Sequence, residues 1–493
     1  MSPKQPPNVL LIVLDTARAR TVLPGLESGL MPTLSRIATE GTTFTDATAT
    51  APWTLPSHAG LFTGKYTSSH GVHAGDHLFD PESGSLASRL SDAEYRTAGI
   101  SGNVWISPEF GFDAGFDEFS MKWDLFWDAP ELSSVISNRN TTAGGESILD
   151  VFRGQGPLDL LKGALTTGYA KFLAERRDDG AHHTTSRTVE WLEQNGTEDD
   201  PFFYFINYVE PHLPYEPPAP FLDEYLPDGA DSSDVSNLDQ EPWQYVAGDS
   251  ELTEADVELF KGLYKAELAY LDTQLERLYD TLAEQGILDE TAIILVGDHG
   301  ENIGEHGLMD HQYCLYETLI HVPLVVRYPE LFNEEEVSGP VELRDLYPTV
   351  LDLAGAEQPT DTDVSTHSLV PRNGTVPVRD RAIAEYLVPQ PSMDALREAV
   401  ESFDQTTTRF DRPLRAIKTT EWKFIEAPGD SELYDRDEDP TERFDVASIH
   451  PDICERLGTD LRDELGRLTR GTADRTAISA SKKERLEDLG YLQ

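Results

Sequence analysis

Three apolar runs punctuate the chain, at 8–15, 202–209 and 292–296. Each is too short and too evenly apolar for an amphipathic helix, and reads as a strand buried on both faces of a parallel sheet. Elsewhere the period lengthens. Leu259, Leu263, Leu268, Leu271, Leu275, Leu278 and Leu282 recur at helical spacing and predict one long helix over 253–285. Shorter helices are predicted at 31–40, 85–92 and 184–195, and one from about Pro56 to Gly64. Further strands are predicted at 43–47 and 97–102, and 324–326 and 341–353 continue the fold. Residues 16–20, 103–119 and 218–249 read as loops. This alternation predicts an α/β fold, a large mixed sheet flanked by helices.

Beyond a Thr-, Pro- and Asp-rich stretch at 358–378 the pattern changes. Antiparallel strands are predicted at 381–386, 414–418 and 423–427, and a packing helix at 454–468, making a small C-terminal α+β domain. The expected division is 1–370 for the large domain and 371–493 for the small domain and tail. Residues 121–180 read as a variable insertion or lid. The 493 residues suffice for such a pair.

Charge changes the picture of the surroundings. There are 89 acidic against 39 basic residues, a formal net charge of -50. Self-repulsion on that scale opposes the compact state in dilute buffer. Concentrated salt shortens the Debye length to roughly 3 Å at 1 M and relieves it. The apolar runs exclude a disordered acidic chain, and the acidic residues are spread throughout. The expectation is a salt-adapted protein of a high-salt cytoplasm. With no basic face, nucleic acid is excluded as a partner. Two cysteines, Cys314 and Cys454, make no disulfide framework. No apolar run is long enough for a membrane span, and 8–15 is too short for a signal peptide. Nothing in the pattern specifies an oligomeric state.

Candidate chemistry gathers at the strand ends. Asp15 closes the first apolar run, and Asp298-His299 follows the third. Ligands of open α/β sheets bind beyond the carboxyl ends of strands. Two carboxylates and an imidazole there suit a divalent ion; a helix cap is the alternative for Asp15. Thr54 precedes Pro56 at the head of a helix, where free N–H groups favour anions. Its hydroxyl is a nucleophile if a metal lowers its pKa, and otherwise a helix cap.

The ordered series of motifs resembles the sulfatase family of the alkaline phosphatase superfamily. It comprises 8–15, Thr54-Leu55-Pro56-Ser57-His58 with Thr63-Gly64, Pro211-His212-Leu213-Pro214-Tyr215, and Gly297-Asp298-His299-Gly300-Glu301. It continues through Leu315-Tyr316-Glu317, Val322-Pro323-Leu324, 345–351, Trp422-Lys423-Phe424 and Glu432-Leu433-Tyr434-Asp435. The resemblance implies one divalent ion (calcium, magnesium or manganese) held by Asp15, Thr54, Asp298 and His299. It implies His212 as general acid or leaving-group contact, and His311, His306 and Asn103 as substrate contacts. A second metal site around Asp310 with His306 and His311 is the alternative use of that stretch.

The departures matter as much. Sulfatases convert a Cys or Ser to formylglycine, and position 54 is Thr. The family's Arg is His58, a candidate for binding substrate oxygen or orienting Thr54, with a buried structural histidine as the alternative. Thr54 is similar to the nucleophile of relatives that act on phosphodiesters and phosphonates. The expected activity is hydrolysis or transfer at a phosphate or sulfate ester of a small molecule, lipid or glycan. Alternatives are a sulfuric ester hydrolase working without formylglycine, and a non-catalytic binder of anionic glycans. On the charge argument, cooperative folding should require roughly molar salt. Circular dichroism along a KCl series checks this; full cooperative folding at low ionic strength would contradict it.

Overall fold

The computed structural model describes residues 6–81, 84–122, 180–333, 336–360 and 364–472. The expected lid falls almost wholly on 123–179 and the tail on 473–493, both outside the described residues.

In chain order the strands are β1 (Asn8–Leu14), β2 (Thr42–Thr48), β3 (Arg96–Ser101), β4 (Glu118–Met121), β5 (Phe202–Tyr208), β6 (Thr291–Gly297), β7 (Asn302–Ile303), β8 (Met309–Asp310), β9 (His321–Arg327), β10 (Glu336–Val337), β11 (Val341–Glu342), β12 (Ala382–Tyr386), β13 (Leu414–Lys418), β14 (Trp422–Ala427) and β15 (Asp430–Asp435). The main sheet has nine strands in the order β10-β2-β9-β6-β1-β5-β3-β4, with β11 also paired to β2. β9 runs antiparallel to β2 and β6, which makes the sheet mixed. The three apolar runs are its centre. Every residue of β5 and β6 is buried, as is β1 from Val9 onward.

Register positions the chemistry. β1 is parallel to both β6 and β5, with Leu14 opposite Gly297 and Tyr208. The residues that follow therefore emerge side by side at one edge of the sheet. The helix Glu254–Glu284 covers one face, started by a capping box between Thr253 and Asp256.

The structure corrects several sequence expectations. The stretch after Asp15 forms a helix, Ala19–Ser28. The acidic segment 218–249 contains three short helices, Ala219–Tyr225, Ser232–Asn237 and Pro242–Val246. Their start signals were present in Asp231, which caps the second, and Pro242 at the head of the third, but they are too short to show a period. The segment 103–119 leads into β4, an edge strand. The C-terminal sheet has four antiparallel strands, β12-β13-β14-β15, the last of which is too polar to alternate clearly. The helix Pro451–Leu465 packs on it.

A buried ion network joins the two sheets. Lys423 lies 2.6 Å from Glu442 and 3.0 Å from Glu317. Lys418 lies 2.9 Å from Asp46 and 3.4 Å from Glu317, and Arg436 completes it 2.6 Å from Asp46. Removing one partner of a buried pair strands the other charge. Lys423→Met should therefore destabilise the fold by about 3–5 kcal/mol. Denaturant unfolding in high salt measures this, and a change below about 1 kcal/mol would show that the network is solvated.

Candidate active site

Thr54 opens the helix Thr54–Thr63, which follows an extended Trp53 and ends on a left-handed Gly64. No side chain caps that helix. The Thr54 hydroxyl is thus not a cap; it lies 3.2 Å from His299 Nε2. The buried first turn leaves backbone N–H groups beside it without helical partners.

In-register pairing of β1 and β6 places Asp15 beside Asp298. Each carboxylate has one oxygen fixed. Asn103 Nδ2 donates to Asp15 Oδ2 (2.5 Å). The amides of His299 (2.8 Å) and Thr16 (3.3 Å) donate to Asp298 Oδ1. Asp15 Oδ1 and Asp298 Oδ2 are buried and have no hydrogen-bond partner among the described residues. Both free oxygens face His299 Nε2, at 3.5 and 3.4 Å. His299 Nδ1 donates to Gly300 O (2.8 Å), which leaves Nε2 its lone pair. Gly300 is required by close packing, since a Cβ there would meet Thr318 O at 2.0 Å.

The electrostatics follow from burial. Burial raises the Asp15 carboxyl against the pull of His212 and His311. Burial and then Asp15 push Asp298 well above the usual carboxylate range. Burial, with His311 next, holds His299 well below the ordinary imidazole value, so its ring is neutral. Two orphaned carboxylate oxygens and a lone pair converging beside a hydroxyl fit a divalent cation.

Supporting contacts fix this corner. Thr16 is left-handed, with φ 56°. Tyr264, from the long helix, donates to Thr16 O (2.8 Å) and accepts from Arg18 N (2.8 Å). His58 is fully buried against Phe112 and Phe205, and its Nδ1 donates to Thr54 O (2.9 Å). Burial pushes His58 down to about 4. It supports Thr54 from behind and does not line the cleft. Asn103 likewise turns to Asp15, with its Oδ1 accepting from Trp105 N (2.9 Å). One N–H of the Asn103 amide thus has an orienting position toward Asp15.

His212 and His311 stand at the mouth, their rings 5.2 Å apart, and His311 lies 4.6 Å from the His299 ring. His212 Nδ1 donates to Leu213 O. His311 Nδ1 contacts Asp310 Oδ1 and lies 3.5 Å from Glu301 Oε1. Burial lowers His311, but Asp310 and Glu301 outweigh it and hold the ring cationic. Burial raises Glu301 to about 7. Glu301, Asp310 and His311 form a second group with metal-ligand spacing. Sequence reasoning had His306 there and overlooked Glu301, although it ends the Asp-His-Gly-Glu motif. His306 is not brought to the site. Its left-handed backbone (φ 56°) turns the ring onto Tyr316, with centroids 3.8 Å apart.

A cleft of about 210 Å³ opens over this floor, lined by Trp53, Trp105, Trp243, His212 and His311 among others. Trp243 lies in the acidic segment read as a loop, and no period marked it.

Comparisons with known proteins agree with this architecture. Residues 7–356 match the family described as sulfatase, and 304–470 match the C-terminal part of N-sulphoglucosamine sulphohydrolase. The chain is 25% identical over 457 residues to an uncharacterized sulfatase, YidJ, of Escherichia coli (strain K12), covering 89% of this chain and 83% of that one. Its fold is similar to the phosphonate monoester hydrolase of Agrobacterium radiobacter, with TM-score 0.63, 21% identity, and 93% and 95% of the chains covered. It is also similar to a protein solved in complex with its substrate D-glucosamine-2-N,6-O-disulfate, with TM-score 0.64, 20% identity, and 94% and 98% covered.

The buried acid pair has a measurable consequence. Because its folded pKa is raised above 3.8, Asp298 costs the metal-free protein stability as pH rises through that value. In chelator at neutral pH, Asp298→Asn should be more stable than the parent chain by about 1–3 kcal/mol. Saturating divalent ion should reverse the order, since only the parent keeps the full charge. Thermal unfolding with and without manganese reads both signs; a variant less stable in chelator would contradict the account.

Proposed function

The chain belongs to the sulfatase family of hydrolases, and from that premise we propose that it cleaves or transfers a phosphate-type ester with Thr54 as nucleophile. One observation carries the reading: an uncapped hydroxyl at a helix head, 3.2 Å from His299 Nε2. A divalent ion (calcium, magnesium or manganese) bound by Asp15, Asp298 and His299 beside Thr54 would lower the hydroxyl pKa and neutralise charge on the ester oxygens.

The chain's own groups supply the rest. The free N–H groups of the first turn face the developing charge. Asn103 keeps Asp15 in its orientation, and His58 fixes the Thr54 backbone. Thr54 Oγ1, its hydroxyl proton released to water, bonds to phosphorus as the bond to the leaving oxygen breaks. His212, whose Nδ1 is engaged by Leu213 O, gives the leaving oxygen a proton from Nε2. Cationic His311 sits close enough to hold an ester oxygen. Water or another acceptor then releases the adduct from Thr54.

Phosphorus is favoured on chemical grounds. Formylglycine expels sulfate from a hemiacetal, and a threonine has no second oxygen with which to do so. The net charge supports a high-salt cytoplasmic setting.

Thr54→Val keeps the branched shape and removes the oxygen. It should lower kcat by at least about three orders of magnitude while the fold persists. Thr54→Ser should retain partial activity. Steady-state assays in molar KCl with phosphodiester, phosphonate and sulfate monoester substrates measure this. Normal turnover by Thr54→Val would refute the nucleophile, and faster turnover of sulfate esters would favour a sulfuric ester hydrolase.

A further inference from the structure

The cleft lined by Trp53, next to Thr54 in the chain, and by His212 and His311 has a composition that the reaction itself does not explain. Trp53 and Trp105 meet edge to face, with centroids 5.7 Å apart and planes at 85°. His77 stacks on Trp105 at 5.2 Å and 17°. Trp105 is tied through Asn103 to Asp15, so this aromatic wall is rigidly referenced to the reacting centre. Trp243 adds a third indole to the lining. Indole faces carry negative quadrupole density and favour polarised C–H groups.

Three carboxamides, Gln240, Gln312 and Gln390, share the lining with His212, His311, Glu241 and Asp310. Gln312 Nε2 donates to Asp310 Oδ2 (2.5 Å), while its Oε1 is buried with no hydrogen-bond partner among the described residues. Such an oxygen accepts from a hydroxyl and repels an anion. Gln240 is locked to the backbone of Tyr215 by bonds of 2.7 and 3.2 Å, which holds that wall in place.

Charge narrows the ligand further. Among the described residues lining the cleft there is no lysine or arginine, whereas Glu241 and Asp310 are present. The positive charge of His311 is answered by Asp310 and Glu301. A second anionic group on a substrate would meet carboxylates here and a chain of net charge -50 beyond.

We infer that this cleft is a subsite for an uncharged hydroxylated ring, a neutral sugar carrying the single ester, with Trp53, Trp105, Trp243 and Gln312 setting the specificity. The assignment rests on the proposed ester chemistry for its place in the reaction, but its binding is separable from turnover. The ring stacks its C–H face on the indoles, and a hydroxyl donates to Gln312 Oε1. Polyanionic glycans and bare aromatic alcohols are both disfavoured, the first by charge and the second by the unmatched Gln312 oxygen.

The test is binding of the ring without its ester. Saturation-transfer NMR and tryptophan fluorescence in molar KCl would use a panel of methyl hexopyranosides, the matched methyl uronides and 4-nitrophenol. At least one neutral glycoside should bind at least roughly tenfold more tightly than its uronide and than the phenol. Trp243→Ala should weaken it by roughly tenfold, and Gln312→Leu, which decides the matter if Trp243→Ala does not fold, by a similar factor. Equal or tighter binding of a uronide or the phenol, no neutral glycoside binding at all, or a folded Gln312→Leu with unchanged affinity would overturn the assignment. Glycoside binding without turnover of any ester would instead overturn the ester chemistry and leave the subsite standing.

Discussion

Two carboxylates are forced together where water does not reach, and the site is organised around that fact. Parallel, in-register pairing of β1 with β6 leaves no alternative place for Asp15 and Asp298. Burying such a pair without a counter-charge is costly. Asn103, Thr16 and the His299 amide each satisfy one oxygen and leave the other to face His299 Nε2. The long helix takes part through Tyr264, which clamps the turn after Asp15. Arg18 in that turn reaches Glu305 at 2.5 Å and ties the acid pair to the hairpin carrying His311. Strain gathers in the same region, with left-handed backbone at Thr16, His306, Asp310 and Tyr313.

In the proposed reaction, position 54 is what makes this binding geometry a reactive one. A threonine at a helix head normally caps it. Here the helix begins without a side-chain cap, and the hydroxyl is directed to His299. Backbone N–H groups that a cap would have satisfied remain available beside Thr54. The family match establishes a sulfatase-type hydrolase. The proposed preference for phosphorus comes from the residue at position 54 and the chemistry open to it.

Much of this was legible in the sequence because buried parallel strands advertise themselves. Continuous apolar runs located β1, β5 and β6, and with them the positions of Asp15, His212, Asp298 and His299. The leucine period located the long helix nearly to the residue. What remained hidden depends on long-range geometry. Register, which brings Asp15 to Asp298, has no local signature. The direction of a side chain from a loop has none either. His306 and His311 look equivalent in sequence, yet one stacks on Tyr316 and the other faces His299. Asn103 sits two residues past a strand end, and nothing local shows that one of its amide N–H groups goes to Asp15. Trp243 rides on a helix of five residues, below the length at which periodicity can be read.

The central claim is that the Thr54 oxygen becomes covalently attached to the transferred group. Mass spectrometry of protein acid-quenched during turnover of a phosphodiester, in molar KCl with divalent ion, addresses it directly. The account predicts a phosphoryl adduct on the peptide containing Thr54, localised by fragmentation to that residue and chased away by further incubation. An adduct localised to Ser57, or complete turnover with no adduct on this peptide under rapid quench, would contradict it.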